Sequence, residues 1–135
     1  MSVPIEEIEG IGPSYAEKLA ALGIKTTEDL LKAGRTPEGR RELAEKTGIP
    51  LRLILRWVNL ADLIRIEGIS GEYSDLLEEA GVDTVVELSR RDPEKLYAKL
   101  VEVNEKKKLV RRLPTLEMVT SWVEQAKKLP RVVEY

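Results

Sequence analysis

Ile8-Glu9-Gly10-Ile11-Gly12-Pro13 returns 58 residues later as Ile66-Glu67-Gly68-Ile69-Ser70-Gly71, with two changes at its end, and the match continues in register. Tyr15 returns as Tyr73, Leu19 as Leu77, Gly23 as Gly81, Thr26 as Thr84 and Leu30 as Leu88. A period of this size predicts one supersecondary unit used twice. Each copy reads as a short helix, a glycine corner and a second helix. This echo decides the fold class: all-α, a pseudo-twofold pair of units packed around a shared helix.

Helix punctuation surrounds the two copies, and strand signals are nearly absent. Ser2 and Pro4 open a first short helix, since proline suits the first turn, where its missing N–H has no partner to lose. Pro13 to Leu22 reads as the next helix, stopped by Gly23 in a left-handed cap. Thr26-Thr27-Glu28-Asp29 is a capping box for a helix to Ala33 that Gly34 closes, and Thr84 with Glu87 is a second box. Thr36-Pro37 starts a helix ending at Gly48. Leu51 to Ile66 is apolar around most of its circumference, leaving a polar stripe at Arg52, Arg56 and Asn59. A helix of that kind is buried, so it is expected at the centre. Asp92-Pro93 predicts a helix to about Val103, with Asn104 capping a short basic one. Pro114-Thr115 opens a peripheral last helix through Leu129, whose apolar stripe is Leu116, Val119, Val123 and Ala126. The expected division is 1–65, first unit with the central helix, and 66–135, a degenerate second unit, in one domain sharing a core.

Composition narrows the chemistry. The 135 residues hold no cysteine and no histidine. That excludes disulfides, thiolate nucleophiles, the usual zinc sites and imidazole acid–base catalysis. No catalytic residue, metal ligand or cofactor site is read from the rest. Carboxylate pairs such as Glu6-Glu7, Glu28-Asp29 and Glu78-Glu79 read as helix-dipole partners. Asparagine occurs twice, glutamine once and phenylalanine never, a depletion that suits a thermostable chain, whether natural, consensus-derived or designed. No apolar run approaches the roughly 18 residues of a membrane span. The opening Met1-Ser2-Val3-Pro4-Ile5-Glu6-Glu7 lacks the basic and apolar regions of a secretory leader, so cytoplasmic residence is expected. A net charge of −2 argues against a strongly electrostatic nucleic-acid binder, although a local patch can act against the mean.

Gly10-Ile11-Gly12-Pro13-Ser14-Tyr15-Ala16-Glu17-Lys18-Leu19 resembles the helix-hairpin-helix motif of nucleic-acid-binding proteins. In that motif the glycines let backbone approach a phosphate, and the next helix presents its N–H groups and dipole to the anion. The resemblance implies contacts from Gly10, Gly12, Ser14 and Tyr15, with Lys18 adding charge one turn on. Such contacts position a duplex without reading bases. The second copy departs from the pattern: Ser70 replaces a glycine, and the Glu72 carboxylate at the helix start repels a phosphate, so that corner reads as structural. Tyr15 and Tyr73 are expected to pack their corners rather than stack on bases, and Trp57 and Trp122 to be core. Lys106-Lys107-Lys108-Leu109-Val110-Arg111-Arg112 is the other basic feature. As one helix it would align Lys107, Lys108, Arg111 and Arg112 in a phosphate-tracking face, against which stands a solvated helix offset by nearby glutamates.

Beyond the motif, nearly the whole chain resembles domain-of-unknown-function family 4332. The resemblance runs from Ile8-Glu9-Gly10-Ile11-Gly12-Pro13 through Arg41-Glu42-Leu43-Ala44-Glu45-Lys46-Thr47-Gly48 and Trp57-Val58-Asn59-Leu60-Ala61-Asp62-Leu63 to Leu113-Pro114 and Trp122. It implies an all-α fold similar to tandem helix-hairpin-helix proteins, a contact role toward nucleic acid or protein, and no activity. Two function classes stay open at this point: a weak, sequence-independent binder of nucleic-acid backbone, and a protein-interaction or scaffold module whose corners are purely structural. Neither partner nor oligomeric state is legible.

Overall fold

The computed structural model describes residues 2–135, which form eight α-helices and no strand. Met1, where the leader reading begins, lies outside them. A 3-10 turn at Ile5–Glu7 precedes α1 (Pro13–Ala20), α2 (Thr27–Gly34), α3 (Pro37–Thr47) and α4 (Leu51–Leu63). The second half holds α5 (Gly71–Glu79), α6 (Val85–Ser89), α7 (Pro93–Lys107) and α8 (Leu116–Lys128). No helix is long and apolar enough to cross a membrane among the described residues.

Local chemistry explains most of these boundaries. The Thr26 Oγ1 accepts from the Asp29 N–H, and the Asp29 carboxylate accepts from the Thr26 N–H, closing a reciprocal box. Backbone N–H groups of Lys25 and Thr26 hold the Asp29 carboxyl below its usual pKa. At Thr84 the box is half formed, because the Glu87 carboxylate pairs with Arg91 at 3.1 Å instead of reaching back. Gly34 behaves unlike the helix-closing glycines. It lies within α2, and a Cβ there would sit 2.5 Å from the Val58 Cγ2. It therefore serves the close approach of α2 to α4 rather than a left-handed stop.

Expectation and structure part at three helices. The helix that starts at Leu51 ends at Leu63, not Ile66, and its first turn is open, with Leu51 45% exposed. Burial is continuous only from Trp57 to Ile64. Asn59, expected on a polar stripe, is buried. The basic run is not one helix. Helix α7 continues through Asn104 to Lys107, and Lys108 ends it in the left-handed region with φ +50°. The Asn104 amide then grips the departing chain at Val110, donating to its carbonyl at 3.1 Å and accepting from its N–H at 3.0 Å. Helix α8 is central to its half, burying Val119, Trp122, Val123 and Ala126, whereas Leu116 stays exposed.

Buried apolar residues form two clusters, one per half, and α4 supplies both: Trp57, Leu60 and Ala61 face the first, Leu63 the second. The halves also meet at Gly71, which lies hard against the Glu7 carbonyl. Beyond α8 the chain takes no helix and crosses back over the first half, where Val133 joins the first cluster.

Candidate functional site

The two corners share a backbone and differ in how the following helix begins. Gly10 and Gly68 have φ of +99° and +97°, a left-handed conformation that favours glycine. A Cβ at either would meet a tryptophan Nε1, that of Trp57 at 3.3 Å and that of Trp122 at 3.0 Å. Tyr15 packs on Trp57 with centroids 5.1 Å apart, and Tyr73 on Trp122 at 5.4 Å. Gly12 and Ser70 then both hold an ordinary extended conformation, at φ/ψ of −84°/−179° and −86°/178°. The Ser70 hydroxyl accepts from the Tyr73 N–H and caps α5, whereas Gly12 offers α1 no side-chain cap.

Glycine is thus demanded at the first position of the corner and optional at the second, where a Cβ would meet nothing within 4 Å. Gly10→Ala should cost about 1–2 kcal/mol from the left-handed backbone alone. Gly12→Ala should stay within about 0.5 kcal/mol, the range of unconstrained surface sites. Chemical denaturation of the two variants checks this, and equal losses would overturn it.

Among the sequence-predicted residues, Gly10, Gly12, Ser14, Tyr15 and Lys18 do come together at the start of α1. Gly10, Gly12, Ser14 and Lys18 are exposed, and Tyr15 is half-buried against the core. Glu6, Glu7 and Glu9 stand exposed immediately before them. Glu9 lies near enough to Asp75 to help raise its pKa, a shift caused first by burial and opposed by Arg56.

The basic run joins the other corner. The Tyr73 hydroxyl donates to the Arg112 carbonyl at 3.0 Å, tying residues 108–112 to the second copy. Lys107 pairs with Glu79 at 2.5 Å and Lys106 with Glu102 at 3.5 Å. Lys108, Arg111 and Arg112 are exposed on an irregular loop. Lys107 also closes a network in which Arg56 reaches Asp75 at 2.5 Å, Glu78 at 2.6 Å and Glu79 at 3.7 Å. Asp75, Glu78 and Glu79 could hold a metal by proximity, since their oxygens lie within 4.8 Å of one another, but Arg56 already occupies the space between them electrostatically.

A second constellation has no counterpart in the sequence reading. The Glu134 N–H donates to the Arg35 carbonyl at 2.7 Å, and the Arg40 Nη2 donates to the Glu134 carbonyl at 2.7 Å. Arg40 is 5% exposed; its Nη1 donates to the Gly34 carbonyl, and burial pulls its pKa below the usual arginine value. Its guanidinium lies 5.6 Å from the centre of the Tyr135 ring. The Tyr135 hydroxyl donates to the Asn59 Oδ1 at 2.6 Å. Burial, then Asp83 and Asp62, pushes that hydroxyl up to about 12. Residues 132–135 are therefore held by main chain and side chains together in a shallow groove of α2, α3 and α4: Val133 is buried, whereas Glu134 and Tyr135 stay exposed, the latter at 64%. The sequence places Asn59 only on a polar stripe of the central helix, and nothing local in Val132-Val133-Glu134-Tyr135 names Arg40 as its partner.

The family model described as Domain of unknown function (DUF4332) matches residues 9–129. No solved structure matches the chain.

Proposed function

For a chain that belongs to the DUF4332 family, we propose the role of a non-catalytic protein-contact module. The observation that carries this reading is the groove over α2, α3 and α4, which holds an extended segment by its backbone and three of its side chains. A gripped main chain with side chains seated beside it is how proteins recognise extended peptides. The architecture proposed with it is a pseudo-twofold pair of helix-hairpin-helix units, supported by the matched Tyr–Trp pairs and the matched glycine angles. In this reading both corners are structural.

Charge also favours protein over nucleic acid. Glu6, Glu7 and Glu9 flank the first corner, and Lys106 and Lys107 already have carboxylate partners. A phosphate backbone would meet repulsion at the one and depleted attraction at the other. The competing reading, a weak backbone binder, has one observation behind it: α1 begins without a side-chain cap, and Lys18 is exposed one turn on.

Titration of labelled duplex DNA at low salt separates the two. We expect no saturable binding up to roughly 100 μM, the weak end of non-specific affinity. Binding with a log–log salt slope of about −2 to −4, flattened by Lys18→Glu, would instead establish two to four phosphate contacts and the nucleic-acid reading.

A further inference from the structure

We propose that the groove over α2, α3 and α4 is a peptide site that takes residues 131–135 of a second copy of this chain, with the chain's own segment as the competing occupant. This rests on the protein-contact reading and adds the occupant.

The groove is specific in the way a binding site is. Glu134 is held at both its N–H and its carbonyl, which fixes the register. Val133 fills an apolar slot in the first cluster, and Val132 packs beside it. Tyr135 lies by the Arg40 guanidinium and reaches Asn59. Arg40 and Asn59 are 5% and 7% exposed, and each owes a hydrogen bond to this segment. A buried polar group that loses its partner is costly. With the slot for Val133, the Arg35 guanidinium 3.7 Å from the Glu134 carboxylate and Asn59 awaiting a tyrosine hydroxyl, the groove favours an occupant with the same apolar-acidic-tyrosine order. Every copy carries that order.

The groove and its occupant also belong to different parts of the chain. Gly34, Arg35, Arg40 and Asn59 lie inside the family match, and residues 130–135 lie beyond it. Between α8 and the groove the connection is Leu129-Pro130, with the Pro130 carbonyl accepting from Arg65 at 3.0 Å. Exchange of the segment between two copies keeps its contacts with Arg35, Arg40 and Asn59 and gives up only the exposed Pro130–Arg65 bond at the link, which makes it a low-cost route to association. What opposes it is the effective concentration of the tethered segment, of order millimolar for a short link. Exchange is accordingly a minor state in dilute solution and grows with protein concentration.

The probe is a labelled peptide with the sequence Arg131 to Tyr135, followed by fluorescence anisotropy on full-length chains. Val133→Asp puts a carboxylate where the apolar slot holds a valine, so the chain's own segment is disfavoured there. Glu134→Pro removes the N–H that reaches Arg35 and deletes no core side chain, although its ring restricts the backbone of Val133. Both variants, checked for fold by circular dichroism, should bind the peptide saturably, and the parent at least about tenfold more weakly because its own segment competes. A scrambled peptide should not bind. Folded variants that ignore the peptide, or a parent that binds it equally well, would overturn the proposal. So would failure of both variants to fold, which would make the segment part of the core. The DNA titration on the parent chain tests the protein-contact reading separately.

Discussion

A Trp57→Ala chain should lose about 3–5 kcal/mol of stability, the usual cost of deleting a large buried aromatic. Trp57 is 1% exposed at the centre of α4, in the first cluster. Its ring carries Tyr15, and its Nε1 lies under Gly10, so one side chain supports both the corner and the helix that follows it. Alanine would leave a cavity beneath Gly10 and Tyr15. Urea unfolding followed by circular dichroism measures the change. A loss below roughly 1 kcal/mol, the range of exposed sites, would mean that α4 turns another face to the first half.

Gly71→Ala should cost about 3 kcal/mol, at the upper end for overpacking in a structure that cannot relax. The added Cβ would sit 1.8 Å from the Glu7 oxygen and 2.9 Å from its carbonyl carbon. Both are backbone atoms of the 3-10 turn, so no side-chain rotation relieves the clash. Intrinsic propensity works in the opposite direction, since alanine is the better helix former by about 1 kcal/mol. A destabilised variant therefore reports packing between the halves, not helix chemistry. The equivalent residue in the first copy is Pro13, which is exposed. An unchanged unfolding midpoint would show that the turn moves away at little cost.

What the sequence discloses follows the range of the interactions. Helix starts at Thr26, Thr36 and Thr115 were legible because the cap bond spans three residues. Left-handed stops at Gly23, Gly48 and Gly81 were legible for the same reason. Gly34 was misread because a glycine that ends a helix and one that admits a neighbour look alike until Val58 is placed beside it. The basic run was misread because charge spacing resembles a helix face, while Asn104 and Val110 decide the chain path. Among the site residues, the group at the start of α1 was found together because it is contiguous. The joining of Lys107 to Glu79, and of Arg56 to α5, depends on side chains 19 to 28 residues apart and leaves no periodic trace. The groove was the least accessible of all, since its bonds link residues separated by 76 and 94 positions.

Those separations also set a timetable for synthesis. On a ribosome Arg40 and Asn59 are made well before Glu134 and Tyr135, which supply hydrogen bonds that both use once buried. At about 5–20 residues per second, those residues arrive some ~5–20 s later. Until then Asn59 lacks its tyrosine partner and Arg40 one of its two carbonyl partners, so burying either is costly and the packing of α3 against α4 is completed only when that segment arrives.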